Sequence, residues 1–288
     1  MKKLLKNLTM KDSFMFGVVM EDEENCRLAL ERILRIRIKK IRVSKEKSIL
    51  YHPEYKGVRL DILAEDENNT RYNVEMQRLS KDDLKKRSRY YHSQMDMDML
   101  LTGVDYAELS DAYVIFICDF DPFGLNRYQY TFKNRCEEDS NLYLKDGTAT
   151  IFLNTKGKNE NEVPSNLVKF LQFVGADEEG CTKDFGDEFV RRLQLSVERI
   201  KKSREMEAKY MQLELMLREE RRHGRAEGKA EGKAEGIAEA VLYILSDIGD
   251  VSESLRDQIL QERNLNILNR WLKLASRSES IEQFQKNM

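Results

Sequence analysis

Cysteine and histidine are scarce and scattered. Cys26, Cys118, Cys136 and Cys181 stand far apart with no C-x-x-C pair, and only three histidines accompany them. That excludes a disulfide scaffold and any zinc-ligand spacing, and it suits reduced thiols in a cytoplasm. No apolar run approaches the roughly 18–20 residues of a membrane span. The opening stretch MKKLLKNLTMKDSFMF lacks the apolar core and small-residue cleavage site of a signal peptide. The expected location is cytoplasmic, with no membrane partner. A basic excess is missing too: a net charge of −2 and a pI near 6.1 argue against a chain that coats nucleic acid over its whole surface.

What is present is local. A length of 288 residues leaves room for one sizeable domain plus an appendage, and 35% charged residues implies long exposed helices. Basic residues gather in two patches. The first holds Arg32, Arg35, Arg37, Lys39, Lys40, Arg42, Lys45 and Lys47, and the second Lys85, Lys86, Arg87 and Arg89. They bracket the stretch Val58–Arg78, VRLDILAEDENNTRYNVEMQR, which reads as a half-buried β-hairpin around Asp66-Glu67-Asn68-Asn69. Val58, Leu60, Ile62 and Ala64 share one parity, and Tyr72, Val74 and Met76 share another. The polar faces carry Arg59, Asp61 and Glu65, with Leu63 the exception, and Asn73, Glu75 and Gln77.

Asp61 and Glu75 lie symmetrically about Asn68. An odd loop centred there sets them opposite each other, with Cβ atoms roughly 4.5–5.5 Å apart. Like charges that close call for a cation between them, and Mg²⁺ is usually held by one or two carboxylates plus water and substrate phosphate. A two-residue Asn68-Asn69 turn would instead shift the pairing by one and separate the faces. A solvated hairpin with an acidic outer face is the alternative.

Along the chain, Thr9 or Asp12 is a candidate cap for a first helix bearing Phe14, Met15, Val18 and Val19. Asp22 caps a second with Cys26, Leu30, Ile33 and Leu34. Residues 36–50 suggest a strand with a bulge or offset, from Ile36/Ile38 and Ile41/Val43. Ser80 and Asp83 resemble a capping box that opens a helix to about Leu101, with Gly103 at its C-terminal cap. Its apolar stripe is Leu84, Tyr91, Met95 and Met99, beside a row of Arg87, Tyr90 and Gln94. Residues 112–118 form a continuous apolar run, as in an interior strand. Further strands are expected near 128–132 and 148–154, separated by an Asp146-Gly147 turn, and a helix over 164–174. One long charged helix is expected from 184 to 223. Four glycines then recur in Gly-x-Ala-Glu steps from Gly224 to Gly236, each costing about 1 kcal/mol in a helix interior relative to alanine. That segment reads as a helical spacer or as a close-packed helix dimer. Leu255, Ile259, Leu260, Leu265, Leu268, Trp271, Leu272 and Leu274 close a compact helical tail.

The ordered series KDSFMFGVVM, GVRLDILAED, YNVEMQ, KRSRYYHSQMD, LTGVDYAELSDAYVIFICDFDPFG and TATIFLNTKG, followed by the Gly-x-Ala-Glu repeats, resembles the PD-(D/E)XK nucleases. More closely it resembles the Rpn family of recombination-promoting nucleases, also called PD-(D/E)XK nuclease family transposases, over roughly residues 8–236. The resemblance implies an α/β, restriction-endonuclease-like core with a central mixed sheet flanked by helices. The expected domains are a nuclease-like core over 1–180, a charged helical linker over 181–237 and a small α-helical module over 238–288.

It also implies chemistry: metal-dependent hydrolysis of DNA phosphodiester bonds by an endonuclease. Asp61, Glu75 and the Met76 carbonyl would bind Mg²⁺ or Mn²⁺. Gln77 stands where the superfamily usually has lysine, and it orients water without adding charge. Arg87 is placed to meet the phosphate, with Lys86 and Arg89 as further nucleic-acid contacts. Tyr91 is an accessory candidate or a core residue. Glu31 is a candidate third carboxylate or a surface acid paired with Arg35. Asp12 reads as a helix cap, the Met95/Met97/Met99 cluster as packing, and the 32–47 basic run as phosphate contacts or a solvated face. Competing functions are a catalytically silent DNA-binding or scaffold protein, and a chain whose C-terminal helices form a homo-oligomer or dock a partner.

Overall fold

A computed structural model describes residues 4–49, 58–80, 82–100 and 102–288. They divide into two compact units, Met1–Tyr210 and Met211–Met288.

The first unit begins with helices α1 (Ser13–Met20) and α2 (Glu23–Leu34). Asp22 caps α2 by accepting the Asn25 N–H at 2.9 Å, and Arg35 ends it with φ +59. Strands β1 (Ile41–Ile49), β2 (Val58–Asp66) and β3 (Arg71–Gln77) follow, pairing antiparallel in that order. Helix α3 (Leu84–Met99) crosses to β4 (Ala112–Cys118), which runs parallel to β3. Strands β5 (Gln129–Phe132) and β6 (Thr148–Asn154) complete a mixed sheet of order β1-β2-β3-β4-β6-β5. Helices α4 (Ser165–Val174) and α5 (Glu188–Lys202) close the unit with the start of α6 (Arg204–Ile248).

Both faces of the sheet are covered. Ile62, Val74, Ile115 and Ile151 pack with α1, α2, α4 and α5 through Phe16, Leu30, Phe170 and Leu193. On the other face Leu63, Val114, Phe116 and Phe152 pack with Leu84, Tyr91 and Met95 of α3. Strand β4 sends alternate residues into each layer, which is why its run is apolar without interruption.

Several local expectations are corrected. Strand β1 starts at Ile41, not near Ile36, which is exposed; the expected Leu50 end lies outside the described residues. Its offset is a Glu46 with φ +54 and no inserted residue, since Lys45↔Ile62 and Lys47↔Leu60 keep one register. The Ser80–Asp83 capping box does not form. Asp83 is itself the N-cap, helical in φ and ψ, with no side-chain cap bond. The helix ends at Met99, Leu101 lies outside the described residues, and Gly103 (φ +89) belongs to the following turn. The single helix expected over 184–223 is two. Ser203 is extended (φ −82, ψ 119) and its hydroxyl accepts the Met206 N–H at 3.3 Å, starting α6 afresh.

The second unit packs the end of α6 with α7 (Glu253–Gln261), α8 (Leu265–Ala275) and α9 (Ile281–Asn287). Ala238, Val241, Leu245, Leu255, Ile259, Leu268, Trp271 and Phe284 form its core. Ala234, from the last repeat, is buried there, whereas Leu260 is exposed. Gly224, Gly228, Gly232 and Gly236 have open space where a Cβ would stand. Among the described residues no helix is long and apolar enough to cross a membrane.

Candidate active site

The site is set by the turn between β2 and β3. Asp66 accepts hydrogen bonds from Asn68 N (2.8 Å), Thr70 N (3.0 Å) and the Tyr72 hydroxyl (2.7 Å), and Asn69 takes the left-handed φ of +61. Asparagine tolerates that conformation better than most residues. The resulting register is Glu65↔Arg71, Ala64↔Tyr72, Leu63↔Asn73 and Ile62↔Val74. It is symmetric about Asn68, as an odd loop requires, and its continuation sets Asp61 against Glu75.

At that point side chains replace the ladder. Glu75 Oε1 accepts the Asp61 N–H at 3.0 Å, and Asp61 Oδ2 accepts the Met76 N–H at 3.2 Å. The uniform alternation expected of β2 fails here. Ile62 and Ala64 pack on the α1/α2 side, whereas Leu60 and Val58 join Leu63 in the layer under α3. Breaking the main-chain pairing lets the strand turn over as it leaves Asp61, close to the Glu46 irregularity of β1.

The electrostatics are those of two acids held side by side, Glu75 buried and Asp61 half-buried. Glu75 is only 3% exposed. Burial, and then the Asp61 charge, push its carboxyl up to about 8. Asp61 is raised as well, chiefly by burial, against the pull of the Met76 N–H and Arg87. Arg87 is the cation at the pair: its Nη2 lies 4.0 Å from Glu75 Oε2. Its guanidinium sits 5.5 Å from the Tyr91 ring centroid and 5.4 Å from that of Phe116. The Nε of Arg87 is buried and has no hydrogen-bond partner.

Other candidates fall in different places. Gln77 ends β3, half-buried, opposite Cys118, and its carbonyl accepts the Asp119 N–H at 2.9 Å. The Met76 side chain is buried in the opposite layer. Tyr91 is a core residue stacked 6.1 Å from Phe116, its hydroxyl pushed up to about 12 by burial and then by the Glu75 charge. Lys86 and Arg89 are exposed on the outer side of α3.

Glu31 is not brought to the pair. It binds Arg27 at 3.0 Å, rather than the expected Arg35, and accepts the Ile38 N–H at 2.9 Å, so it fastens α2 to the chain entering β1. Asp12 is the N-cap residue of α1 but makes no side-chain cap bond. It accepts Thr9 N at 2.8 Å and faces Arg78 at 3.2 Å. Among the described residues, three of the eight basic residues of this run are ion-paired within the chain: Arg32 with Asp187 (3.1 Å), Arg42 with Glu65 (2.9 Å) and Lys47 with Asp98 (2.7 Å). Met95 is core, and Met97 is exposed. Two further residues shape the site without a sequence signal that marks them. Asp66 reads in sequence only as a turn residue, and Asn73 only as one more polar residue of a strand face.

Among the described residues no group of three or more His, Cys, Asp or Glu side chains converges. The two carboxylates nonetheless fit a hard divalent ion, which needs one or two such ligands beside water and phosphate. Asp61 Oδ1 accepts no hydrogen bond among the described residues, and Glu75 Oε2 lies 4.0 Å from Arg87 Nη2. Burial raises the carboxyls of both acids, and added positive charge would oppose that.

No curated protein and no solved structure matches the chain. Residues 13–223 match the family described as PD-(D/E)XK nuclease family transposase, a stretch that runs from α1 into α6 and contains the whole sheet. The chain belongs to that family, and its mixed sheet flanked by helices is the family's nuclease-like α/β fold.

Proposed function

We propose that this chain is a metal-dependent DNA endonuclease of the recombination-promoting type, cutting the duplex backbone with little sequence preference. The observation that carries the reading is the Asp61–Glu75 pair on neighbouring strands: Glu75 is buried and accepts the Asp61 N–H, Asp61 is half-buried and accepts the Met76 N–H, and Arg87 stands 4.0 Å from Glu75. Asp61 and Glu75, helped by the Met76 carbonyl, would hold Mg²⁺ or Mn²⁺, which when bound would supply Lewis-acid chemistry for activating water and offsetting charge on the phosphate. Arg87 balances Glu75 before DNA arrives and then offers charge-assisted donors to the scissile phosphate. Gln77 orients water through its amide, without the charge a lysine would add. Lys86 and Arg89, exposed on α3, contact neighbouring phosphates irrespective of base. The C-terminal helices assemble copies of the chain, and the protein works in the cytoplasm.

Purified protein is expected to nick plasmid DNA with Mg²⁺ or Mn²⁺ and to stop on addition of EDTA. Asp61→Ala and Glu75→Ala abolish cutting; variants that cut as well as the parent overturn the assignment. A second reading, a catalytically silent DNA-binding or scaffold protein, is favoured by Gln77 in place of lysine. Its signature is DNA binding with no cutting by the parent under any divalent ion.

A further inference from the structure

Asn73 is wholly buried, and neither its Oδ1 nor its Nδ2 has a hydrogen-bond partner. It stands two residues before Glu75 on β3, and so on the same face of the sheet. Its register partners are Leu63 on β2 and Val114 on β4, both apolar and buried, so the residues directly opposite it on either side offer its amide nothing polar. A buried amide left unpaired is destabilising, and such groups call for an explanation in use. Arg87 Nε, on the side chain that reaches Glu75, is a second buried atom without a partner. The two needs are complementary. Nε–H is a donor, Oδ1 an acceptor, and Nδ2 a donor suited to a carboxylate. The Asn73 side chain lies near Glu75, short of a hydrogen bond of good geometry.

We propose that Asn73 is a positioning residue: Asn73 accepts the Arg87 Nε–H and donates Nδ2–H to Glu75, fixing the rotation of that carboxylate towards a divalent ion held with Asp61. The inference rests on the metal-binding reading above. It accounts for a strand position that holds an amide between two apolar neighbours, where leucine would pack without penalty. It also gives Arg87 a second task, as the anchor that orients Asn73.

The test is calorimetric titration of Mn²⁺ into the full chain and into Asn73→Leu and Asn73→Ala, with thermal unfolding of each in EDTA. Asn73→Leu is expected to keep or raise the metal-free Tm while weakening Mn²⁺ binding at least about tenfold, the usual range for a group that orients a ligand. Asn73→Ala, which leaves a cavity, loses Tm but weakens binding equally. A purely structural asparagine gives the reverse for leucine: a lower Tm with unchanged affinity. If the parent binds Mn²⁺ and both variants bind within about twofold of it, the role of Asn73 falls and the metal site stands. If the parent binds no Mn²⁺, the metal reading falls and takes this inference with it.

Discussion

Replacing Glu75 by glutamine is expected to stabilise the metal-free protein at alkaline pH while destroying its site. The folded-state carboxyl of Glu75 is raised from an ordinary 4.5 to about 8 by burial and by Asp61. An acid raised on folding binds its proton more tightly in the native state, so between pH 4.5 and about 8 the unfolded chain carries fewer protons. Stability therefore falls as pH rises through that window. The full gap is worth roughly 5 kcal/mol at about 1.36 kcal/mol per pH unit, which is a ceiling. Glutamine keeps an oxygen for the Asp61 N–H and cannot ionise. We expect Glu75→Gln to match the parent near pH 5 and to exceed it by on the order of 2–4 kcal/mol at pH 8, or about 5–10 °C in Tm for a unit of this size. A smaller slope remains from Asp61, which is raised in the same direction. The assay is thermal unfolding in EDTA from pH 5 to 8.5, followed by far-UV circular dichroism and tyrosine signals. The single tryptophan, Trp271, lies in the second unit and serves as an internal control. Saturating Mg²⁺ stabilises the parent selectively and narrows the difference at pH 8. Parallel pH profiles for parent and variant would refute the claim that Glu75 is held against its ionisation.

Arg87→Ala removes the cation beside Glu75 and should lower plasmid nicking by about 10²-fold or more, with Arg87→Lys restoring part of it. Glu31→Gln keeps an acceptor for the Ile38 N–H but loses the Arg27 ion pair; it should leave nicking unchanged and lower stability by about 0.5–1 kcal/mol in urea titration. Replacing Lys86 and Arg89 together by alanine should weaken DNA binding alike for unrelated sequences and reduce the slope of log K against log salt by about 1–2.

The register of the hairpin was legible because its cause is local. An Asn/Asp turn flanked by matched alternation leaves few pairings, and Asp66 enforces the odd one by gathering two backbone N–H groups and a hydroxyl. The buried β4 was legible for a similar reason, since only a strand covered on both faces is apolar throughout. The turning-over of β2 at Asp61 was not. It depends on two side chains capturing backbone groups across the hairpin, and its one trace in the sequence is Leu63 on an otherwise polar face. The partner of Glu31 is not legible because helical spacing offers an acid two basic neighbours, Arg27 and Arg35, and Arg35 is taken by the left-handed cap of α2. The break at Ser203 is not legible because a serine inside a charged helical pattern reads as surface until its hydroxyl caps the next helix. Asn73 could not be marked at all: its significance is the absence of partners, which only packing reveals.

The account turns on whether two acids from neighbouring strands share one divalent ion. Crystals of the parent grown with Mn²⁺, measured at the manganese absorption edge, test this directly. We expect one anomalous peak bound by carboxylate oxygens of both Asp61 and Glu75, and its loss in Glu75→Gln. A peak held by other residues, or none at that pair under saturating Mn²⁺, would contradict it.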